Sequence, residues 1–402
     1  MKNKLIQPSR VSNYAWFILA LAFLSAFGQS LNMNKIAPLI PMLMDAFKIQ
    51  MSDTGLLISV YSLTGAALSL PAGFIIQRFG IKNTGLFSLA FVAVGAALGA
   101  MTNNFSILLL SRIFEGVGAA TIMVLGPAMI AIWFPFTKIG TAMGIHATAL
   151  PIGGFLTLTF AAKVTEKIGW TGFWWISAGL NLFIFLIFIF FLKPAPSNSL
   201  SSEDSHSDSL PSFRKAMSNK QVWFLSIAVF WFAAAFIPLV NYLPTYLTAQ
   251  HGFSMLKAGF VTGLTGLITV FIAPLAGWLS DQIGSRKIIF LVGFFLLLIT
   301  YPFLFLAKGS MVIILVILIG AANAIAPTIL FAAAPESMSS KKLSGVGIGI
   351  VSLGMNLGIM LSTPVYGGLI QRVGWVNTGY IYILAIALGI LFSFLYKKPQ
   401  HR

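Results

Sequence analysis

Cysteine is absent from the 402-residue chain, which excludes disulfides, thiol redox chemistry and thiolate metal sites. Charge is scarce too: 8% of the residues are Asp, Glu, Lys or Arg, against about 25% in a soluble domain. With 58% hydrophobic residues and a mean hydropathy of +0.92, the apolar side chains are too many for one water-soluble core. A soluble enzyme is therefore excluded. No phosphate loop, Ser/His/Asp set or metal-ligand cluster occurs, and the Gly-rich stretches lie inside hydrophobic runs where they cannot cradle a nucleotide. No cofactor is expected, and ATP-driven work would need a separate subunit.

Long apolar runs fill most of the chain. They predict membrane helices near 14–44, 53–76, 83–102, 104–132, 138–163, 171–192, 221–249, 255–279, 287–307, 310–333, 343–368 and 377–396. The expected fold is an all-α membrane protein of twelve transmembrane helices, with both termini on one side. The segment after Arg10 is too long, and too quickly followed by a second span, for a cleaved signal peptide.

Acid is the scarcer charge: nine Asp+Glu stand against 25 Lys+Arg, for a formal +16. Such a balance suggests nucleic acid only where the basic residues cluster on one face, and here they are scattered, so no nucleic-acid partner is expected. Sorted by side, seventeen Lys and Arg accompany the termini and six lie opposite, which predicts cytoplasmic termini in a multi-pass cell-membrane protein. Lys35 and Arg112 are the remainder, and both fall inside helices. Most of the charge is thus topogenic and faces anionic lipid.

Between Lys193 and Lys220 the composition turns to Ser, Pro and acid, a flexible linker in which His206 is solvated. The linker, 194–219, separates residues 1–193 from 220–402 as two six-helix bundles. Their sequences repeat. Gly73-Phe-Ile-Ile-Gln77-Arg78-Phe-Gly80 recurs 204 positions later as Gly277-Trp-Leu-Ser-Asp281-Gln282-Ile-Gly284. Gly140-Thr-Ala-Met-Gly144-Ile145 and Gly169-Trp170 recur after 205 positions as Gly345-Val-Gly-Ile-Gly349-Ile350 and Gly374-Trp375. Tandem helical bundles of this kind suit a transporter in which one half rocks against the other around a midplane site.

These motifs make the chain resemble the major facilitator superfamily over essentially its whole length. The loop signature Gly-x-x-x-Asp-Arg-x-Gly-x-Arg/Lys appears as Gly73, Gln77, Arg78, Gly80, Lys82 and as Gly277, Asp281, Gly284, Arg286, Lys287. The fourth-helix signature reads Arg112, Glu115, Gly116, Gly118, Ala119. Asn32-Met-Asn34-Lys35 followed by Pro38 and Pro41, together with Trp133-Phe-Pro135, is similar to the anion:cation symporter and cyanate/nitroimidazole branches. In the symporter branch the first-helix cation is usually Arg preceded by Asp, and here Asn34 and Lys35 stand instead.

The resemblance implies that Gly73, Arg78, Gly80, Gly277, Asp281, Gly284 and Arg286 form conformational latches rather than substrate contacts. Glycine lets the turn close, and an Asp beside a helix N-terminus gains about 0.3–1 kcal/mol from the dipole. Gln77 replaces the acid in the first half, so a weaker latch is expected there.

Lys35, Arg112 and Glu115 have no charged counterpart in the second half. A charge at a helix centre costs about 2.5–3.5 kcal/mol, so these three call for a function. At about 1.5 Å rise per residue, Lys35 and Arg112 fall near one level in the half of the membrane away from the termini. Gln29, Asn32 and Lys35, spaced i, i+3 and i+6, form one polar stripe on the first helix, expected to line the central cavity. Lys35 is read as a counter-charge for an anionic substrate, or alternatively as a lysine snorkelling to the headgroups. Arg112 and Glu115 form an i, i+3 ion pair or serve substrate and proton. Glu115 and His146 are the candidate proton carriers. Asn241, Tyr242, Asn323 and Asn356 are candidate polar contacts for substrate, with Tyr61 and Trp231 behind them. The chain is expected to be a secondary active transporter for a small anion, functional as a monomer and driven by a proton gradient. The alternative is an efflux or uniport carrier for neutral or amphipathic compounds.

Overall fold

A computed structural model describes residues 12–68, 71–135, 138–193, 217–338 and 343–397, apart from the side chains of residues 73, 74, 77, 140 and 344. The linker, His206, Lys341 and Lys342 lie largely or wholly outside the described residues.

Among the described residues the regular structure is entirely helical. The helices are α1 (Asn13–Asn34), α2 (Ile40–Phe47), α3 (Met51–Leu68), α4 (Pro71–Met101), α5 (Phe105–Trp133), α6 (Ile139–Ala147) and α7 (Ala149–Phe191). After the linker come α8 (Lys220–His251), α9 (Met255–Ile283), α10 (Arg286–Leu304), α11 (Met311–Glu336) and α12 (Ser344–Leu395). Among the described residues nine helical segments are long and apolar enough to cross a membrane. In lipid each backbone polar group must be satisfied within the chain, and helices do this within one segment.

Local sequence sets the ends. Ser12, Asn104, Asn219, Ser254 and Ser285 each cap a helix N-terminus by accepting a hydrogen bond from a first-turn amide. Gly252 and Gly284 close α8 and α9 in the left-handed conformation. Gly169 and Gly374 interrupt α7 and α12 with φ of 72° and 80°, so the internal repeat extends to the backbone conformation of its breaks.

One expectation is corrected. The first helix does not run unbroken to residue 44; α1 ends at Asn34, and a 3₁₀ turn (Ala37–Leu39) leads into α2. Pro38 and Pro41 cause this, because a proline ring clashes with the carbonyl four residues earlier and offers no N–H. Both prolines stand in first turns, Pro38 of the 3₁₀ segment and Pro41 of α2, where that amide is not needed.

Glycines bring the helices close. A Cβ on Gly95 of α4 would lie 2.8 Å from the Glu115 amide of α5, and one on Gly293 of α10 would lie 2.8 Å from the Ala326 amide of α11. The same device joins the two halves at the end remote from the termini. A Cβ on Gly55 of α3 would stand 2.7 Å from Pro364 Cα of α12, and one on Gly263 of α9 would meet Phe155 of α7 at 2.9 Å. Hydrogen bonds reinforce this closure: Ser59 Oγ donates to Met360 O at 2.6 Å, and Tyr242 Oη donates to Met51 O at 3.0 Å.

Tyr242→Phe should weaken the closed arrangement by about 1 kcal/mol, a shift of about fivefold in its population. It removes the hydroxyl shared between Met51 O and Thr363 O, of which only the first lies across the halves, without altering the ring. Distance measurements between labels on the two halves check this, and an unchanged distribution would contradict it.

Candidate functional site

The charged residues singled out in the sequence meet at one point inside the first half. Where α1 unwinds after Asn34, Lys35 folds its ammonium group inward, and Nζ lies 2.7 Å from Glu115 Oε1 of α5. The other carboxylate oxygen, Oε2, accepts a short hydrogen bond from Arg112 Nη1, one turn earlier on α5. All three side chains are fully buried, 0% exposed. Two cations therefore share one carboxylate, and the group carries a formal charge of +1.

Neighbouring helices hold this group in place. Arg112 Nη1 also donates to Asn32 O at 3.0 Å, one of the carbonyls left without an amide where α1 ends. Its Nε donates to Leu57 O of α3 at 3.1 Å, and its guanidinium lies 4.3 Å from the centre of the Tyr61 ring. Lys35 Nζ lies 4.4 Å from the centre of the Trp174 ring on α7. An aromatic face opposite a cation supplies part of the missing counter-charge. Asn32 Oδ1 accepts from Lys35 Nζ at 3.2 Å and from Ser177 Oγ at 2.5 Å, while Gln29 Nε2 donates to Tyr61 Oη at 2.6 Å.

Three polar atoms around the group are buried without a hydrogen-bond partner: Arg112 Nη2, Gln29 Oε1 and Trp174 Nε1. Unsatisfied buried donors are rare, because each costs about 1–3 kcal/mol. Of the two donors, Arg112 Nη2 belongs to the charged group itself, and Trp174 Nε1 faces Gly99 of α4.

The structure thus joins Gln29, Asn32, Lys35, Arg112 and Glu115, brings the weaker candidate Tyr61 to them, and adds Trp174 and Ser177. Lys35 does not snorkel, since its ammonium is sealed and ion-paired. In the arrangement described here the stripe is buried, with Gln29 5%, Asn32 0% and Lys35 0% exposed, and the partners named for its side chains belong to the first half. Lys35 keeps helical backbone angles and donates its amide to Leu31 O at 3.0 Å, so it stays in register with Gln29 and Asn32.

The other candidates lie elsewhere. His146 ends α6 against Gly126 of α5, where a Cβ would be 2.5 Å from the ring, and its Nδ1 is buried without a partner. Asn323 Nδ2 reaches Thr269 Oγ1 at 3.5 Å within the second half. Asn356 Nδ2 donates to Ser352 O at 2.9 Å, and its Oδ1 faces Gly65 across the junction of the halves. Asn241 is buried beside Tyr242 on α8. Tyr242 stacks on Tyr366 at 5.8 Å and belongs to the closure already described. None of these shares a described contact with Lys35, Arg112 or Glu115.

Of the latch residues, Arg286 lies 2.7 Å from Asp281 and 2.8 Å from Glu336, so the second-half loop is braced to the end of α11. Glu336 was not singled out in the sequence. In the first half Gly80 breaks α4 with φ of 75°, Gly73 lies in the segment before it, and the Arg78 guanidinium stands 5.7 Å from the Phe79 ring. Gln77's side chain is outside the described residues. Among the described residues no group of three or more His, Asp or Glu could hold a metal ion.

Residues 18–346 match the family model of the Major Facilitator Superfamily. A probable nitrate transporter of Staphylococcus haemolyticus is 26% identical over 391 residues, covering 95% of this chain and 97% of that protein. A probable sulfoacetate transporter of Cupriavidus necator is 22% identical, covering 89% and 87%. A riboflavin transporter of Clostridioides difficile is 26% identical, covering 68% and 70%. The crystal structure of a bacterial homolog of the human lysosomal transporter Spinster, inward-facing and occupied, shares the fold with a TM-score of 0.78 at 14% identity, covering 96% and 97%.

Proposed function

Since the chain belongs to the major facilitator superfamily, and is a membrane transporter rather than an enzyme, we propose that it moves a small anion together with a proton. The observation that carries this reading is the pairing of two buried cations with one carboxylate. With Glu115 ionised, the group holds +1. A proton on Glu115 raises it to +2, and a monovalent anion taking the carboxylate's place restores +1. Proton and anion therefore enter or leave the buried group together at constant charge, which avoids the cost of an extra buried ion. The partnerless Arg112 Nη2 is the donor that would meet the anion. The nitrate and sulfoacetate transporters among the relatives make those two anions the first to try.

In this reading twelve spans form two six-helix bundles, residues 1–193 and 220–402. Dividing the 51-residue apolar segments at Gly169 and Gly374, and counting α3, turns nine spans into twelve. The junction closed near Gly55 is then one end state of a rocking cycle, inward-facing if the termini are cytoplasmic. The second-half brace of Asp281, Arg286 and Glu336 holds the loop between α9 and α10 during that motion. The protein acts as a monomer.

Uptake into proteoliposomes tests the reading. Accumulation of nitrate or sulfoacetate under an inward proton gradient is expected, and a protein indifferent to every anion yet moving neutral or cationic compounds would sink it. The riboflavin transporter among the relatives favours that second reading, a carrier for neutral or amphipathic molecules. A thermal-shift screen adds a prediction: a transported anion should raise the melting temperature of the wild type, and Lys35→Ala should abolish that shift. A shift that persists in the variant places the substrate elsewhere.

A further inference from the structure

A cleft of about 480 Å³ opens at the terminal end of the first half, between the start of α1, the part of α4 after Gly80 and the end of α7. Its walls include Tyr14, Phe17, Lys82, Phe190, Phe191 and Lys193. We propose that this cleft binds the phosphate of an anionic phospholipid, held by Lys82 and Lys193.

The geometry keeps both lysines available. Lys82 Nζ donates to Ile189 O at 2.9 Å, which fixes the side chain and leaves two of its three protons free. Tyr14 Oη donates to Phe191 O at 3.1 Å and accepts from the Lys193 amide at 2.7 Å, so residue 193 is tied to the rim. The Lys193 ammonium stands 5.0 Å from the centre of the Tyr14 ring. Among the described residues of the first half, the carboxylates are Asp45, Asp53 and Glu166 at the opposite end and Glu115 in the buried group. Neither lysine has a carboxylate partner there. Phe190 and Phe191 are 75% and 59% exposed, an apolar flank suited to acyl chains beneath a headgroup.

The second half provides the contrast. Lys287, 205 positions after Lys82, donates to Phe394 O at 2.7 Å and to Tyr396 O at 3.0 Å. Tyr396, the counterpart of Phe191, is 1% exposed and packs against Phe290. The same lysine is thus bound twice to the backbone in one half, and is left with an open neighbour in the other.

Native mass spectrometry of the full chain, released from micelles of mixed phosphatidylglycerol and phosphatidylcholine, tests the proposal. Retention of phosphatidylglycerol over phosphatidylcholine is expected. At about 1 kcal/mol per lysine near an anionic surface, Lys193→Gln should weaken retention about fivefold, and K82Q/K193Q further. Lys193 is exposed, so its variant folds normally, and Lys287→Gln should change nothing. Equal retention in wild type and K82Q/K193Q overturns the site, as does an equal loss in Lys287→Gln. Displacement of the lipid by inorganic phosphate at matched concentration would show an ion site and not a lipid site.

Discussion

Glu115→Gln is expected to lower stability by about 3–5 kcal/mol and to abolish proton-driven accumulation. The first part follows from burial: Lys35 and Arg112 are both 0% exposed, and removing their shared carboxylate leaves two cations uncompensated. The second part follows from the proposed exchange, because Gln mimics protonated Glu and cannot release the proton. Substrate counterflow, which needs no proton movement, should persist wherever the variant folds. Melting in detergent and uptake with and without a pH gradient separate the two effects. A double variant, K35M/E115Q, restores the formal charge of +1 and should regain part of the stability but none of the accumulation. If Glu115→Gln accumulates substrate fully under a pH gradient, the carboxylate is not the proton carrier.

Gly55→Ala is expected to shift the molecule away from the conformation described here. Its Cβ would lie 2.7 Å from Pro364 Cα and 2.8 Å from Tyr242 Oη, and the proline backbone cannot yield as a flexible side chain would. Overpacking of this kind costs about 1–3 kcal/mol. The cost falls only on the state in which the halves touch at this end, so the ratio of the two states changes by about 5- to 150-fold. The absence of cysteine makes the measurement direct, since spin labels go only where Cys is introduced. Exposed Lys48 and Arg372 flank the closed end on opposite halves and are suitable positions. A longer distance is expected in the variant, and an unchanged one would mean that α3 and α12 do not separate in the cycle.

Much of the fold was legible because lipid imposes a strict code. A span must be apolar throughout, so helix limits such as 104–132 and 287–307 fall within a few residues of α5 and α10. The first helix escaped this code: hydropathy does not register the loss of an amide at Pro38. Lys35, Arg112 and Glu115 stood out because few charges occur in the spans. Trp174 and Ser177 did not, as an aromatic or a hydroxyl in a span is ordinary and only its neighbours reveal its use. Glu336 carried no signal of its own, and only its place beside Arg286 shows its use.

By itself the sequence determined that this is a repeated, all-helical membrane protein of the major facilitator superfamily, and which three ionisable groups needed a reason to lie within it. Those properties follow from composition and from the cost of placing charge in hydrocarbon, both of which are written along the chain. The tertiary structure decided that Lys35 and Arg112 share Glu115, and that Tyr242 fastens the halves together. Those outcomes depend on where α1 breaks and how closely glycines let α1, α3, α5 and α7 approach. Four helices distant in sequence must pack together before any one of the pairings exists.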